Sequence, residues 1–375
     1  MASRVKKGIY KRDRRDEYLV YLLIIVYTFT LSLITIMKHR AFLSTAWDLG
    51  VYEQALWTTL NRGLFFYYTP DLGFNPGGSF FGTHFSPILF LLLPVYAIHQ
   101  STETLLVVQS IMLGIAALPL YWIAREELGR PIYALLLVSA YFVYPATLAT
   151  NLFDFHVEAF SPAFSLFAFY YLHKQDWNKY FMFLTLFLMT IEYVPPAIAF
   201  FLGLYGIWLF CRKYGINIKD IIWLRRRLSI KRILQMLRTD KLFLASIFTI
   251  IESVVFVIIA TYVKTYFNPH SPPIPHPFWS LGASPEQLIH TGITNPIKLS
   301  NAFFIDWSKK ILYILYLFGP LLFLPLFDPP SLMLAMPWIF AALFSTGSSY
   351  YDINYQYSSF ATPFVFVSAV YGIKR

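Results

Sequence analysis

The eleven residues from Trp47 to Trp57 hold Asp48, Glu53 and Gln54 between two tryptophans. A carboxylate set among aromatic side chains can take a proton from a hydroxyl or amine as a general base, or can hold a metal ion. Asp48 is the centre of the site this stretch suggests, with Glu53 and Gln54 as its nearest polar companions for binding substrate. Asp48 reads equally as a helix N-cap, because an apolar-periodic helix begins at the next residue. The densest polar cluster is Asp154-Phe155-His156-Val157-Glu158. An extended backbone there would put all three polar side chains on one face; a helical one would align Asp154 with Glu158 and turn His156 away. Two carboxylates and an imidazole can hold a divalent ion, or a phosphate through the imidazolium. Asp48, Asp154 and His156 are the metal-ligand candidates, with Mg or Mn as the ion. The plainer reading is a loop that caps the helix starting near Phe160. His84 (three residues before Pro87) and Glu192 (three before Pro195-Pro196) join the substrate-binding candidates. A structural histidine and a solvated turn acid are the alternatives there. Glu252 lies inside an apolar run, where a helix-to-helix hydrogen bond is the expectation.

The elements that must position these residues follow from composition. Of 375 residues, 57% are hydrophobic, 19% aromatic and only 13% charged, about half the usual charged share of about 25%. Mean hydropathy is +0.54, and the apolar residues fall in runs near the length needed to cross a bilayer. This predicts an all-α protein: one polytopic transmembrane helical bundle spanning 1–375. The net charge of +10 does not point to nucleic acid, because the basic residues cluster between apolar runs. A single cysteine, Cys211, excludes an intrachain disulfide. There is no Walker A loop, nucleophile elbow, His-Glu-x-x-His or Cys-x-x-Cys, so no nucleotide cofactor is implied. Any energy must come from an activated substrate or an ion gradient.

Residues 1–17 are basic and precede an apolar run over 18–37, which reads as an uncleaved first span with a cytoplasmic N-terminus. A first outer loop then covers 38–103, with a short interfacial helix expected over 49–60 and a re-entrant or interfacial helix over 88–98. Further apolar runs fall at 104–124, 131–149, 159–173, 180–191, 194–211, 242–263, 311–327, 331–347 and 360–373. If 88–98 does not cross, the cytoplasmic segments hold 23 of the 30 Lys and Arg, including the basic loop 212–241. The positive-inside rule favours that arrangement, with about ten spans and both termini cytoplasmic in the plasma membrane. It puts Asp48, Glu53, His84, Asp154, His156, Glu158 and Glu192 on or near the outer face. The proline-rich outer loop 264–310, with His270 and His276, reads as extended and lid-like.

Asp48-Leu49-Gly50-Val51-Tyr52-Glu53-Gln54-Ala55-Leu56-Trp57, Gly82-Thr83-His84-Phe85-Ser86-Pro87, Pro94-Val95-Tyr96-Ala97 and Asp154-Phe155-His156-Val157-Glu158 occur in this order. This succession resembles the motifs of the membrane proteins grouped as domain of unknown function 2079. Asn354-Tyr355-Gln356-Tyr357 resembles that family's later tyrosine-rich motif and adds Tyr355 to the substrate-binding candidates. The family is similar in plan to the C-type glycosyltransferases. That resemblance implies sugar transfer from a polyprenyl-phosphate donor in the membrane lipid to an acceptor on the outer face, with Asp48 as base or metal-positioning acid. The outer-face cations available to a leaving phosphate are few: Lys38, Arg40, Arg62, Lys264, Lys298, Lys309 and Lys310. A transporter, or a non-catalytic lipid-binding or assembly protein, is the alternative. A transporter would place its acids at mid-membrane, where Glu252 stands alone.

Overall fold

The computed structural model describes residues 14–216, 240–270, 278, 280–282 and 285–375. Most of the basic segment 1–17, most of the basic loop 212–241, and His276 with its neighbouring prolines lie outside the described residues. The described chain is helical, with one isolated bridge between Tyr67 and Ser79 in place of any strand.

The first helix, α1 (Arg14–Arg40), has acids in its first turn and Lys38-His39-Arg40 in its last, matching the helix dipole. Then come α2 (Leu49–Arg62), closed by Gly63 at φ 64°, and α3 (Ile88–Ile98). Next are α4 (Thr102–Ile115) and α5 (Ala117–Leu128), which together form one apolar stretch over Thr102–Leu128. Helices α6 (Pro131–Phe142) and α7 (Pro145–Leu152) are bent by 42° where Pro145 opens the second. Helices α8 (Ser161–Lys174), α9 (Trp177–Leu188) and α10 (Pro195–Tyr214) follow. Pro195 and Pro196 fill the first positions of α10, where a missing amide proton is tolerated.

Beyond residue 240 lie α11 (Leu242–Phe267), α12 (Pro285–Thr294), α13 (Pro296–Phe304), α14 (Trp307–Phe318), α15 (Pro329–Leu332), α16 (Met336–Phe344) and α17 (Thr362–Lys374). Residues 285–304 are therefore helical where the prolines suggest extended chain. Pro285 and Pro296 each open a helix and do not interrupt one.

Among the described residues, four helices are long and apolar enough to cross a membrane: Asp16–Arg40, Thr102–Leu128, Pro195–Tyr214 and Leu242–Phe267; counted as one span, the bent pair α6–α7 is a fifth. Other apolar runs form shorter helices. At about 1.5 Å per residue, the 12 residues of α9 or 14 of α8 reach about 20 Å, less than the about 30 Å hydrocarbon core.

Small residues set the helix spacing. A Cβ on Gly203 of α10 would stand 2.6 Å from Ile250 and 2.8 Å from the Ser246 carbonyl on α11. One on Gly114 of α4 would meet the Thr28 hydroxyl of α1 at 2.7 Å. Glycine there lets the backbones approach, as membrane helix pairs require. The outward faces of α1 and α11 expose Leu22, Ile25 and Phe29, and Val254, Ile258 and Tyr262. α8 and α17 are instead buried on nearly every side.

Candidate functional site

The C-terminal ends of α1, α7, α9 and α11 meet the N-terminal ends of α2, α8 and α10 at one end of the bundle. Asp48 precedes α2 yet makes no side-chain cap to it. Its Oδ2 accepts the Thr45 hydroxyl at 2.9 Å, and its Oδ1 lies 3.3 Å from Nε2 of His156. This geometry sets aside the N-cap reading. The Asp48 side chain is 27% exposed and that of His156 only 8%, so a ligand can reach the carboxylate but not the ring behind it.

His156 has a defined protonation pattern. Nδ1 lies 3.0 Å from the Asp154 carbonyl, which can only accept, while Nε2 faces the Asp48 carboxylate. The carbonyl fixes Nδ1 as a donor, and the carboxylate at Nε2 favours a proton there as well. Burial pushes the His156 pKa down, but the Asp48 hydrogen bond and the Glu158 and Asp48 charges prevail and raise it. The same contact holds the Asp48 carboxyl below its usual range against the opposing effect of burial.

The backbone at His156 is extended and then turns into a 3-10 helix over Val157–Phe160. Neither the all-strand nor the all-helix pattern holds, and the three polar side chains part. Asp154 turns to α1: Oδ2 accepts the Thr45 amide at 2.6 Å, and Oδ1 lies 3.6 Å from the Lys38 ammonium. Glu158 is buried and accepts the Tyr193 hydroxyl at 2.6 Å on Oε1, while Oε2 has no hydrogen-bond partner among the described residues. Asp48 thus pairs with His156, while the Asp154 side chain is taken by the Thr45 amide and Lys38. Among the described residues no group of three His, Cys, Asp or Glu side chains is arranged to share an ion.

A second cluster joins this one through Tyr193. Its neighbour Glu192 accepts the Lys264 ammonium at 2.8 Å, lies 3.3 Å from Nδ1 of His84, and accepts the Phe85 amide at 3.0 Å. Burial resists ionisation of Glu192, yet His84 and Lys264 hold its carboxyl down to about 2. His84 and Glu192, distant in sequence, are therefore direct partners. The Tyr355 ring meets Phe153 at 5.1 Å with a 52° tilt, and Phe153 in turn stacks on His156 at 5.3 Å.

Glu53 and Gln54 are placed elsewhere. Glu53 accepts the Tyr96 hydroxyl at 3.4 Å between α2 and α3. Gln54 accepts the amide and hydroxyl of Thr69, holding the following loop. His270 is exposed, its amide bonded to Asn268. Glu252 accepts the Thr185 hydroxyl of α9 at 2.6 Å, the interhelix bond expected of it.

Sequence reasoning passed over Thr45, Gln109 and Tyr193. Fully buried Gln109 accepts the His156 amide at 2.8 Å and donates to the Thr150 and Asn151 carbonyls at 3.1 and 3.2 Å. It ties α4 to the end of α7 and sets the backbone that aims His156. A lone glutamine in an apolar run was the available signal.

A chain whose described residues are helical, with several apolar helices and with ionisable side chains gathered at the helix ends, is an integral membrane protein. It belongs to the DUF2079 family, whose model, described as a predicted membrane protein, matches residues 38–375. No match was found among the curated proteins or the solved structures.

Proposed function

We propose that this membrane protein transfers a sugar from a polyprenyl-phosphate donor to an acceptor at the outer face of the plasma membrane. The observation that carries the reading is the Asp48–His156 pair: a reachable carboxylate 3.3 Å from a buried imidazole. In this reading the bundle resembles the C-type glycosyltransferases. The shorter helices complete about ten crossings, and both termini are cytoplasmic.

Glycosyl transfer passes through an oxocarbenium-like state. The bond from the anomeric carbon to the phosphate oxygen breaks, and its electron pair leaves on the phosphate. The acceptor oxygen or nitrogen bonds to that carbon, and its proton passes to Asp48. A carboxylate with a low pKa suits this order, because the acceptor becomes acidic only as the new bond forms. The leaving phosphate needs positive charge, and Lys264 at Glu192, with Lys38 at Asp154, brings it to the rim of the site.

The test is transfer of radiolabelled sugar from polyprenyl-phosphate donors in membranes carrying the wild type or Asp48→Asn. We expect transfer by the wild type and a loss of about 100-fold or more in the variant, at equal expression and thermal stability. Equal transfer in both would remove Asp48 from the mechanism. No transfer from a broad donor panel would shift the reading to transport or a non-catalytic role. Transfer that persists in EDTA fits protein cations at the phosphate; loss restored by Mg or Mn would assign that charge to an ion.

A further inference from the structure

Three of the four acids in the two joined clusters have a cationic partner. Asp48 has His156, Asp154 has Lys38, and Glu192 has Lys264. Glu158 differs. It is 3% exposed, its one hydrogen-bond donor is the neutral Tyr193 hydroxyl, and Oε2 has no partner among the described residues. The His156 ring is near enough to feel Glu158 but is engaged by Asp48 and the Asp154 carbonyl. Of these four acids, Glu158 alone has no basic side chain in contact among the described residues. A buried carboxyl oxygen left without a donor is unfavourable unless a partner arrives.

The surroundings of Glu158 are aromatic. Tyr52, Tyr193, Tyr350 and Tyr357 all lie close enough to feel its charge. Tyr350 and Tyr357 stack on each other at 4.9 Å and on Trp338 at 5.6 and 5.4 Å. Both tyrosines are only partly buried, so the stack reaches the surface. Ring faces attract cations, and a carboxylate among several rings is the arrangement that selects an ammonium over a neutral group.

We propose that Glu158, with Tyr350 and Tyr357, forms a binding site for a protonated primary amine on the ligand. This rests on reading the Asp48 end as a ligand site, and it deepens the proposed transfer by making the sugar or the acceptor amine-bearing. One ammonium chemistry has two sources here, an amino sugar or an ethanolamine headgroup.

The experiment is binding without transfer, so its outcome is separate from whether the protein is a glycosyltransferase. Purified full-length protein in detergent is titrated with methyl glucosaminide, methyl glucoside, O-phosphoethanolamine and phosphoglycolate, and aromatic fluorescence is followed. We expect an amine to bind about tenfold or more tighter than its neutral or anionic counterpart. We expect that preference to vanish in Glu158→Gln and to fall in Tyr357→Leu. Preference for the glucosaminide assigns an amino sugar; preference for phosphoethanolamine assigns the headgroup. Equal binding of amine and hydroxyl ligands by the wild type, or no binding of either, overturns the proposal without need of a variant. Amine preference that survives in a folded Glu158→Gln overturns the assignment to Glu158.

Discussion

At the scale of single residues, the site is a set of acids whose charges are fixed by different partners. Glu192 is held ionised by Lys264 and His84, its pKa lowered from 4.5 to about 2. A depressed carboxyl pKa contributes stability that is fully present above the unfolded value and is lost as pH falls through the folded one. Acid unfolding in detergent should therefore draw on Glu192 between pH 4.5 and about 2. Glu192→Gln should lower stability at pH 7 and flatten the fall across that window, read by thermal melts at stepped pH. His156 has the opposite sign. Its pKa is raised above 6.5, so its contribution is present below that value and fades as pH climbs through the folded pKa. Asp48→Asn removes the carboxylate at Nε2 and should bring the His156 titration, followed by NMR of labelled histidine, to lower pH. A titration that does not move would mean that the pair at 3.3 Å does not set the charge of the ring.

At the scale of elements, the site is aimed by buried polar bonds between helices. Gln109 is the clearest case. Gln109→Leu would leave the His156 amide and the Thr150 and Asn151 carbonyls without their partner. Each such loss is worth about 1–3 kcal/mol, so a drop of several degrees in Tm is expected, together with a loss of transfer that Glu126→Gln, at the far end of the bundle, does not share. The α10–α11 contact is steric. Gly203→Leu would drive a side chain into Ile250 and the Ser246 carbonyl, separating the two helices that carry the Glu192 turn and Lys264. Reduced yield of folded protein by size-exclusion chromatography would show it. The helices themselves were legible from apolar runs, turn residues and prolines: α3 spans 88–98 as expected, and α2 covers 49–62 against an expected 49–60. The site was legible only as a list of polar residues. Asp48, His156, Glu158 and Glu192 could be named, but not their pairing. Glu53 shares the Asp48 motif and still points to Tyr96, because five residues along a helix change the face.

At the scale of the molecule, the ionisable residues divide between two ends. One end holds the Asp48 site. The other holds Glu126 with Lys174, Glu127 with Lys374, and Asp328 with Arg375. In the proposed orientation, which follows the positive-inside rule, the second end is cytoplasmic. In a Cys211→Ala background, Thr69→Cys should react with a membrane-impermeant maleimide in intact cells, and Gly129→Cys only after permeabilisation. The reverse pattern would put the Asp48 site in the cytoplasm and overturn the proposed outer-face transfer while leaving the fold intact.

The sequence alone determined that this is a helical membrane protein, because composition and run length are local properties that a bilayer reads directly. It also determined where most helices begin and end, since prolines, glycines and charged turns act within a few residues. Tertiary structure decided which acids are partners. His84 meets Glu192 across 108 positions and Asp154 meets Thr45 across 109. No periodicity reports a distance in space between residues so far apart. It also decided that Asp154, His156 and Glu158 part company, because the chain changes from extended to 3-10 at Val157. That local change depends on Gln109, Tyr193 and Ser359 holding the segment from three other elements.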